Sequence, residues 1–287
     1  MDGELLRFLY HRLIGVVTRR CVYGDGLVAL ACLFAVANNR SLRWASDRSR
    51  WPLWCQGALP RLPSYSQLRR RSQSRSVVAL VGRLDRRLRR RLGGGGDKAG
   101  DGKPLVVGGH SKDADATRGH ASGSMARGYR THAIRDAATG VIDALAVTGL
   151  HRGEATVMRA MVRRVRLDRC TLRCDANYDS NPLYAAVAAR GGRLLAPRRR
   201  PGAGLGHGRA QHPHRLMAIA ELEADPRARR RHARLRGQVE RGFADLAQCV
   251  GLFALPPFVR RLRRVRRWVQ AKVVLYHALL ALRRGRT

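Results

Sequence analysis

Between residues 104 and 197 the chain changes its hydrophobic period in an order that admits few folds. PLVVGG (104–109), YRTHAI (129–134) and VIDALAVTGL (141–150) read as β-rich segments separated by turn-like sequence. EATVMRAMVRRV (154–165) then reads as a helix and TLRCDANY (171–178) as a strand. SNPLYAAVAARGG (180–192) reads as a helix capped by Ser180 and stopped by glycines, and RLLAP (193–197) as a last strand. Three consecutive strands can form an antiparallel meander, whereas strands separated by helices need parallel crossovers. The order β-β-β-α-β-α-β therefore predicts an α/β fold on a mixed sheet.

That order is the one found in ribonuclease-H-like domains, although order alone leaves other α/β sheets open. The flanks are helical. In residues 1–95, Leu5, Leu6, Phe8, Leu9, Leu13 and Val16 recur at helical spacing, and LVALACLFAVA (27–37) follows as a buried helix too short to span a bilayer. LPSYSQLRRR places Ser64 and Gln67 as a capping box after Pro63, opening a short basic helix with Arg69, Arg70 and Arg71. The next helix carries Val77, Leu80, Val81, Leu84, Leu88 and Leu92 on one face and arginines on the other. Such a set fits a helix-turn-helix-like DNA-binding module or a helical lid with a solvated basic face. GGGGDKAGDGK (93–103) reads as a flexible join, so the expected domains are 1–95 and 96–287. It fails the GxxxxGK[ST] spacing of a phosphate loop. Downstream, GAGLGHG has His207 where a dinucleotide fingerprint needs its third glycine. A short helix is expected around Arg215 to Leu222, then an amphipathic helix through Leu235, Val239, Phe243 and Leu246, then a long basic one.

The charge decides the class of partner. The chain has 57 Lys and Arg against 20 Asp and Glu, a formal net charge of +37, on a sequence 45% hydrophobic. That much apolar content supports a core, so the positive charge is displayed on a folded surface that favours a polyanion, nucleic acid first. No secretory signal is visible, and the expected location is cytoplasmic and nucleoid-associated. The six cysteines lack the spacing of a disulfide framework, and Cys170 and Cys174, with no second pair, read as core thiols rather than a zinc site.

Against this background the acidic residues stand out. RCDANYDS (173–180) places Asp175 and Asp179 behind an apolar segment. Phosphodiester chemistry with hard cations needs carboxylates converging from different elements. Asp101, opening the first strand, Asp175, on the fourth, and Glu240, on a helix beyond the fifth, meet that condition by position. Arg236 lies one helical turn before Glu240, placed to orient it, to contact a phosphate or simply to form a salt bridge. Asp113, Asp115 and Asp179 read as loop or turn residues, and His132 and the HPH at 212–214 as ordinary structural histidines.

In order, DGKPLVVGGHSKDADA, GYRTHAI, CDANYDSNPLY, RLLAPRRR, RGQVERGF and LPPFVRRLRRVRRWVQAK resemble the DDE-type insertion-sequence transposases of bacteria. The resemblance runs from Asp101 to the C-terminus, and LPSYSQLRRR is similar to a segment near the N-terminus of such proteins. It implies a ribonuclease-H-like mixed five-stranded sheet flanked by helices, preceded by an all-helical DNA-binding region. It further implies Asp101, Asp175 and Glu240 as catalytic carboxylates holding two Mg²⁺ ions, with Mn²⁺ as a possible substitute. The reaction would be in-line cleavage and strand transfer without a covalent enzyme intermediate. Arg198, Arg199, Arg200, Arg236 and the C-terminal helix would contact phosphates of double-stranded DNA, both the mobile element's ends and its target, with a homodimer formed on DNA. In the family's pattern around the glutamate, Arg236 and Glu240 match, while Ala233 and Ala247 replace a tyrosine and a lysine.

Overall fold

The computed structural model describes residues 3–15, 22–59, 61–121, 123–200, 205, 210–252 and 255–285. Val16, Cys21 and GAGLGHG apart from Leu205 lie outside the described residues. Two compact units form, one from residues 1–92, 246–259 and 267–287, the other from residues 93–245 and 260–266.

The first unit is helical. It holds α1 (Gly3–Leu13), α2 (Asp25–Ala37), α3 (Leu42–Ala45), α4 (Leu53–Ala58), α5 (Tyr65–Arg71) and α6 (Arg75–Leu92), together with most of α11 (Leu262–Arg284). A helix apolar on all sides has to be buried on all sides. Residues 27–31 and 33–36 of α2 are indeed buried, and Phe34 stacks on Trp44 and Trp51 at centroid distances of 4.9 and 4.1 Å. The α6 stripe buries Val77, Leu80, Leu84, Leu88 and Leu92 and leaves its arginines outward. The capping box forms as the sequence predicts: Ser64 N–H donates to Gln67 Oε1 at 2.9 Å, and Gln67 N–H to Ser64 Oγ at 3.4 Å. Polar groups enter the α11 interface with partners. Lys272, wholly buried, donates to Asn39 Oδ1 at 2.6 Å, and burial pushes its pKa down to about 8. His277 Nδ1 meets Asp85 at 2.7 Å.

The second unit runs β1 (Lys98–Val106), β2 (Thr117–Ala121), β3 (Ser124–Asp136), β4 (Ile142–Gly149), α7 (Glu154–Val162), β5 (Thr171–Arg173), α8 (Asn181–Ala188), β6 (Arg193–Leu195) and α9 (Pro213–Ala224), followed by α10 (Pro226–Val250), which continues into the first unit. β4 pairs with β3 and β3 with β1, both antiparallel; β1 pairs with β5 and β5 with β6, both parallel. The path β4-β3-β1-β5-β6 is the expected ribonuclease-H-like mixed sheet. Leu172, Leu194 and Leu195 of the parallel strands pack with Met158, Val162, Leu183 and Val187 of the crossover helices and with Leu222 of α9.

Three local features differ from the sequence reading. An additional strand, β2, pairs with residues 124–128 of β3. Its TRGHA has no apolar run to announce it, and the hairpin depends on bare backbone: a Cβ on Gly128 would collide with the Leu105 carbonyl of β1. β1 begins at Lys98 rather than Pro104, so the end of the glycine-rich join is strand and Asp101 lies inside it. A lysine in a strand start reads as solvent-facing, but Lys98 is buried between Asp136, at 3.2 Å, and Asp143, at 2.7 Å. Finally, Ser180 occupies the N-cap position of α8 without making a side-chain cap bond, and Pro182 helps set that start instead.

Candidate active site

The parallel ladder between β1 and β5 ends at the pair Ala99 and Arg173. Two residues further along each chain lie Asp101 and Asp175, so strand register alone brings the two predicted carboxylates together. Asp175 is just past β5, not on it: its carboxylate accepts the Asn177 N–H at 2.8 Å and caps a 3₁₀ turn over Ala176–Tyr178. Glu154 is the third member, from the first residue of α7. One ligand oxygen from each of Asp101, Glu154 and Asp175 lies within 4.8 Å of the others, the one such acidic group among the described residues.

Glu154 was not singled out in the sequence, because an acid opening a helix ordinarily reads as a complement to the helix dipole. The available signal is topological. β4 runs in the same direction as β1 and β5, so the helix that follows β4 starts toward the end of the sheet where Asp175 leaves β5. Gly102 permits the approach: a Cβ there would lie 3.3 Å from the Glu154 carboxyl carbon and 3.2 Å from Arg130 Cδ.

The cluster is half-buried, and this shapes its electrostatics. Burial is the largest effect on Asp101 and, with the charges of Asp175 and Glu154, pushes its pKa up to about 7. The Gly102 N–H, donating at 2.7 Å, and the field of Arg236 oppose that rise. Burial also raises Glu154, against the guanidinium of Arg130, which forms an ion pair with it. The Tyr178 hydroxyl is wholly buried beside these acids and hydrogen-bonded to Glu154, and burial and then the Glu154 charge hold its pKa well above the usual range. His132 is buried and bonded through Nε2 to Thr148 Oγ1 at 3.0 Å, while its Nδ1 has no partner. Burial, then Arg130, pushes His132 down to about 4, so the ring is neutral. Cys170 and Cys174 are buried free thiols raised by burial, as core thiols should be.

The remaining predicted residues are dispersed. Glu240 lies outside the acidic group, exposed on α10 and paired with Arg236 at 2.9 Å. Asp179 is a clamp as well as a turn residue: Arg215 Nε and Nη2 donate to it at 2.6 and 2.7 Å, and the Arg199 N–H at 3.2 Å. Asp113 accepts the Asp115 N–H, as a turn residue does, but also the Tyr129 hydroxyl at 2.7 Å and the Arg261 N–H at 3.1 Å; Asp115 accepts the Leu262 N–H at the start of α11. Among the basic residues, Arg199 and Arg200 are exposed, while Arg198 is paired with Glu223 at 2.8 Å. Arg69 and Arg70 are exposed and line an open cleft with Tyr65, Ser66 and Gln73. Arg71 is held by Asp25 at 2.5 Å.

Oxygen donors alone, from three elements, suit a hard divalent cation, whose ligands across a Mg²⁺ ion are about 4.2 Å apart at bond lengths of about 2.1 Å. The transposase DDE domain family model matches residues 99–276, a span that contains all of the sheet but Lys98 and all three carboxylates. No curated relative and no solved structure matches. With that family model covering more than half of its length, the chain belongs to the transposase DDE domain family.

Proposed function

We propose that this protein is the transposase of a bacterial insertion sequence, which binds the element's terminal inverted repeats, cleaves DNA there and joins the freed ends to target DNA. The observation that supports this most is the convergence of Asp101 and Asp175 at the end of the β1–β5 ladder, within the span matched by the family model. In this reading Asp101 and Asp175 hold a divalent cation, Mg²⁺ or in its place Mn²⁺, and Glu240 completes the catalytic set. When bound, the cation supplies charge neutralisation at the phosphate and activation of the attacking oxygen. Arg236 tempers the negative field at Asp101 and orients Glu240. Arg199 and Arg200, with Arg198 once it is released from Glu223, contact the DNA backbone, as do Arg69 and Arg70, while Arg71 positions α5 through Asp25. Two ends held together would be bound by a homodimer.

A second reading, an inactivated transposase that still binds ends, is favoured by one observation: Glu240 stands apart from the acidic group, exposed and paired with Arg236. Incubating the full-length protein with a duplex carrying the element's end and Mg²⁺ separates the two. Metal-dependent nicking at the repeat boundary is expected; binding without nicking would establish the second reading, and neither would remove both. The binding should weaken steeply with salt. Replacing Arg199 and Arg200 together by alanine should flatten the slope of log affinity against log salt by about 1.8, at about 0.9 for each phosphate contact.

A further inference from the structure

We propose that the cavity between the start of β5 and the α9–α10 junction is a phosphate site, and that a backbone phosphate of bound DNA fills it. The inference rests on the reading of the protein as a DNA-binding transposase. It adds a contact at the end of β5 away from Asp175, outside the acidic group and outside the arginines already named.

The cavity has a volume of about 470 Å³, within the range of about 300–1,000 Å³ usual for binding clefts. Its floor comes from one face of the parallel strands. Thr171 and Arg173, two residues apart on β5, point to the same side, while Leu172 between them enters the core, and Arg193 of β6 is the register partner of Thr171. Its rim is α10, where Arg227 and Arg231 lie one helical turn apart and are both exposed. Four arginines thus line one opening.

Three observations point to an anion. The carboxylates of the lining are already engaged: Asp97 accepts from Arg173 Nη2 and from the Thr171 N–H, both at 3.0 Å, Glu221 is paired with Arg193, and Asp225 accepts the Arg227 N–H at 2.7 Å. Four arginines against these three carboxylates leave one positive charge, which one phosphodiester balances. Second, Arg173 is only 8% exposed, and its Nε is buried without a hydrogen-bond partner. A guanidinium has five N–H donors and a buried donor left unpaired is costly, so an oxyanion in the cavity supplies acceptors that Asp97 alone does not. Third, Arg227 and Arg231 sit where the helix itself disfavours them. Arg227 is in the first turn of α10, whose dipole repels a cation, and like charges four residues apart repel each other. Neither forms an ion pair among the described residues. Helix stability does not explain these two side chains, whereas a bound anion does.

The test uses the full-length protein and duplexes of the element's end in which one phosphate at a time is replaced by a neutral methylphosphonate, with binding read by gel shift. Wild type should lose roughly 10- to 100-fold in affinity at the position the cavity holds, the worth of hydrogen bonds to a charged group. In the double variant Arg227→Ala with Arg231→Ala that position should become indifferent, and the slope of log affinity against log salt should flatten by about 0.9. Both side chains are exposed, so this variant should keep the wild-type melting curve; should it not, Arg231→Ala alone carries the same expectation. A folded variant that retains the wild-type pattern and slope would overturn the inference while DNA binding, and with it the proposed function, stands. If wild type binds no DNA, the proposed function falls, and melting in inorganic phosphate against chloride at equal ionic strength decides the site. Stabilisation of wild type but not of the variant would then support the phosphate site with free phosphate as its source, and equal shifts would overturn it.

Discussion

Replacing Asp175 with asparagine is expected to abolish Mg²⁺-dependent cleavage of end DNA while leaving binding of the same DNA unchanged. The substitution keeps an oxygen that can accept the Asn177 N–H, now at 2.8 Å, so the 3₁₀ turn after β5 and the approach of its neighbours survive. It removes the negative charge that, with Asp101, makes the site attractive to a hard cation. Loss of one preorganised electrostatic group commonly costs about 10²–10³ in rate, and loss of a metal-holding charge should cost roughly 10³ or more. Arg199, Arg200, Arg69 and Arg70, which are proposed to contact phosphate, are untouched by the substitution, so binding, read by gel shift, should stay. Unchanged nicking by this variant would sink the assignment.

The second large effect concerns stability. Asp136→Ala should destabilise the sheet-bearing unit by about 3–5 kcal/mol, the cost of breaking a buried ion pair by removing one partner. Asp136 is wholly buried at the end of β3 and accepts from Lys98 Nζ at 3.2 Å, from the N–H groups of Gly95 and Gly96 at 3.0 and 3.3 Å, and from those of Ala138 and Thr139 at 3.1 and 2.8 Å. One carboxylate thus ties the entry into β1 to the turn between β3 and β4. Burial works against its charge, but these N–H groups, the Thr139 hydroxyl and Lys98 outweigh burial and hold its pKa well below the usual range. Because the folded-state value is depressed, the contribution is fully present above the unfolded pKa of about 3.9 and is lost as pH falls from there toward the folded value. Chemical denaturation at pH 7 should show the deficit in Asp136→Ala, and the deficit should shrink as the pH is lowered below about 4. A deficit that stays constant from pH 7 to pH 3 would show that the charge is not what stabilises this corner.

The acidic pair illustrates how far local pattern reaches. Asp101 and Asp175 were legible because each adjoins an apolar strand, and the strand order sets β5 beside β1 as a parallel neighbour whose matching end meets it. Asp179 and Asp113 share the same short-range signature, a carboxylate near a turn, yet they are occupied by Arg215 and by Tyr129 with the Arg261 backbone. Nothing within a few residues of either announces those partners. Lys98 misleads for the same reason: its polarity argues against a strand until Asp136 and Asp143, far along the chain, are counted.

What the sequence determined by itself was therefore everything written in local periods. That covers the helical beginning with its capping box, the order of strands and helices, the surplus of positive charge, and the two aspartates that follow from strand order. Tertiary structure alone decided that Glu154 joins them, that Glu240 stands outside paired with Arg236, and that residues 267–287 group with the first 92. The physical reason is that a period reports which face of an element is apolar. Which carboxylates converge is set by strand direction, by the bare backbone at Gly102 and by charges paired across long stretches of chain.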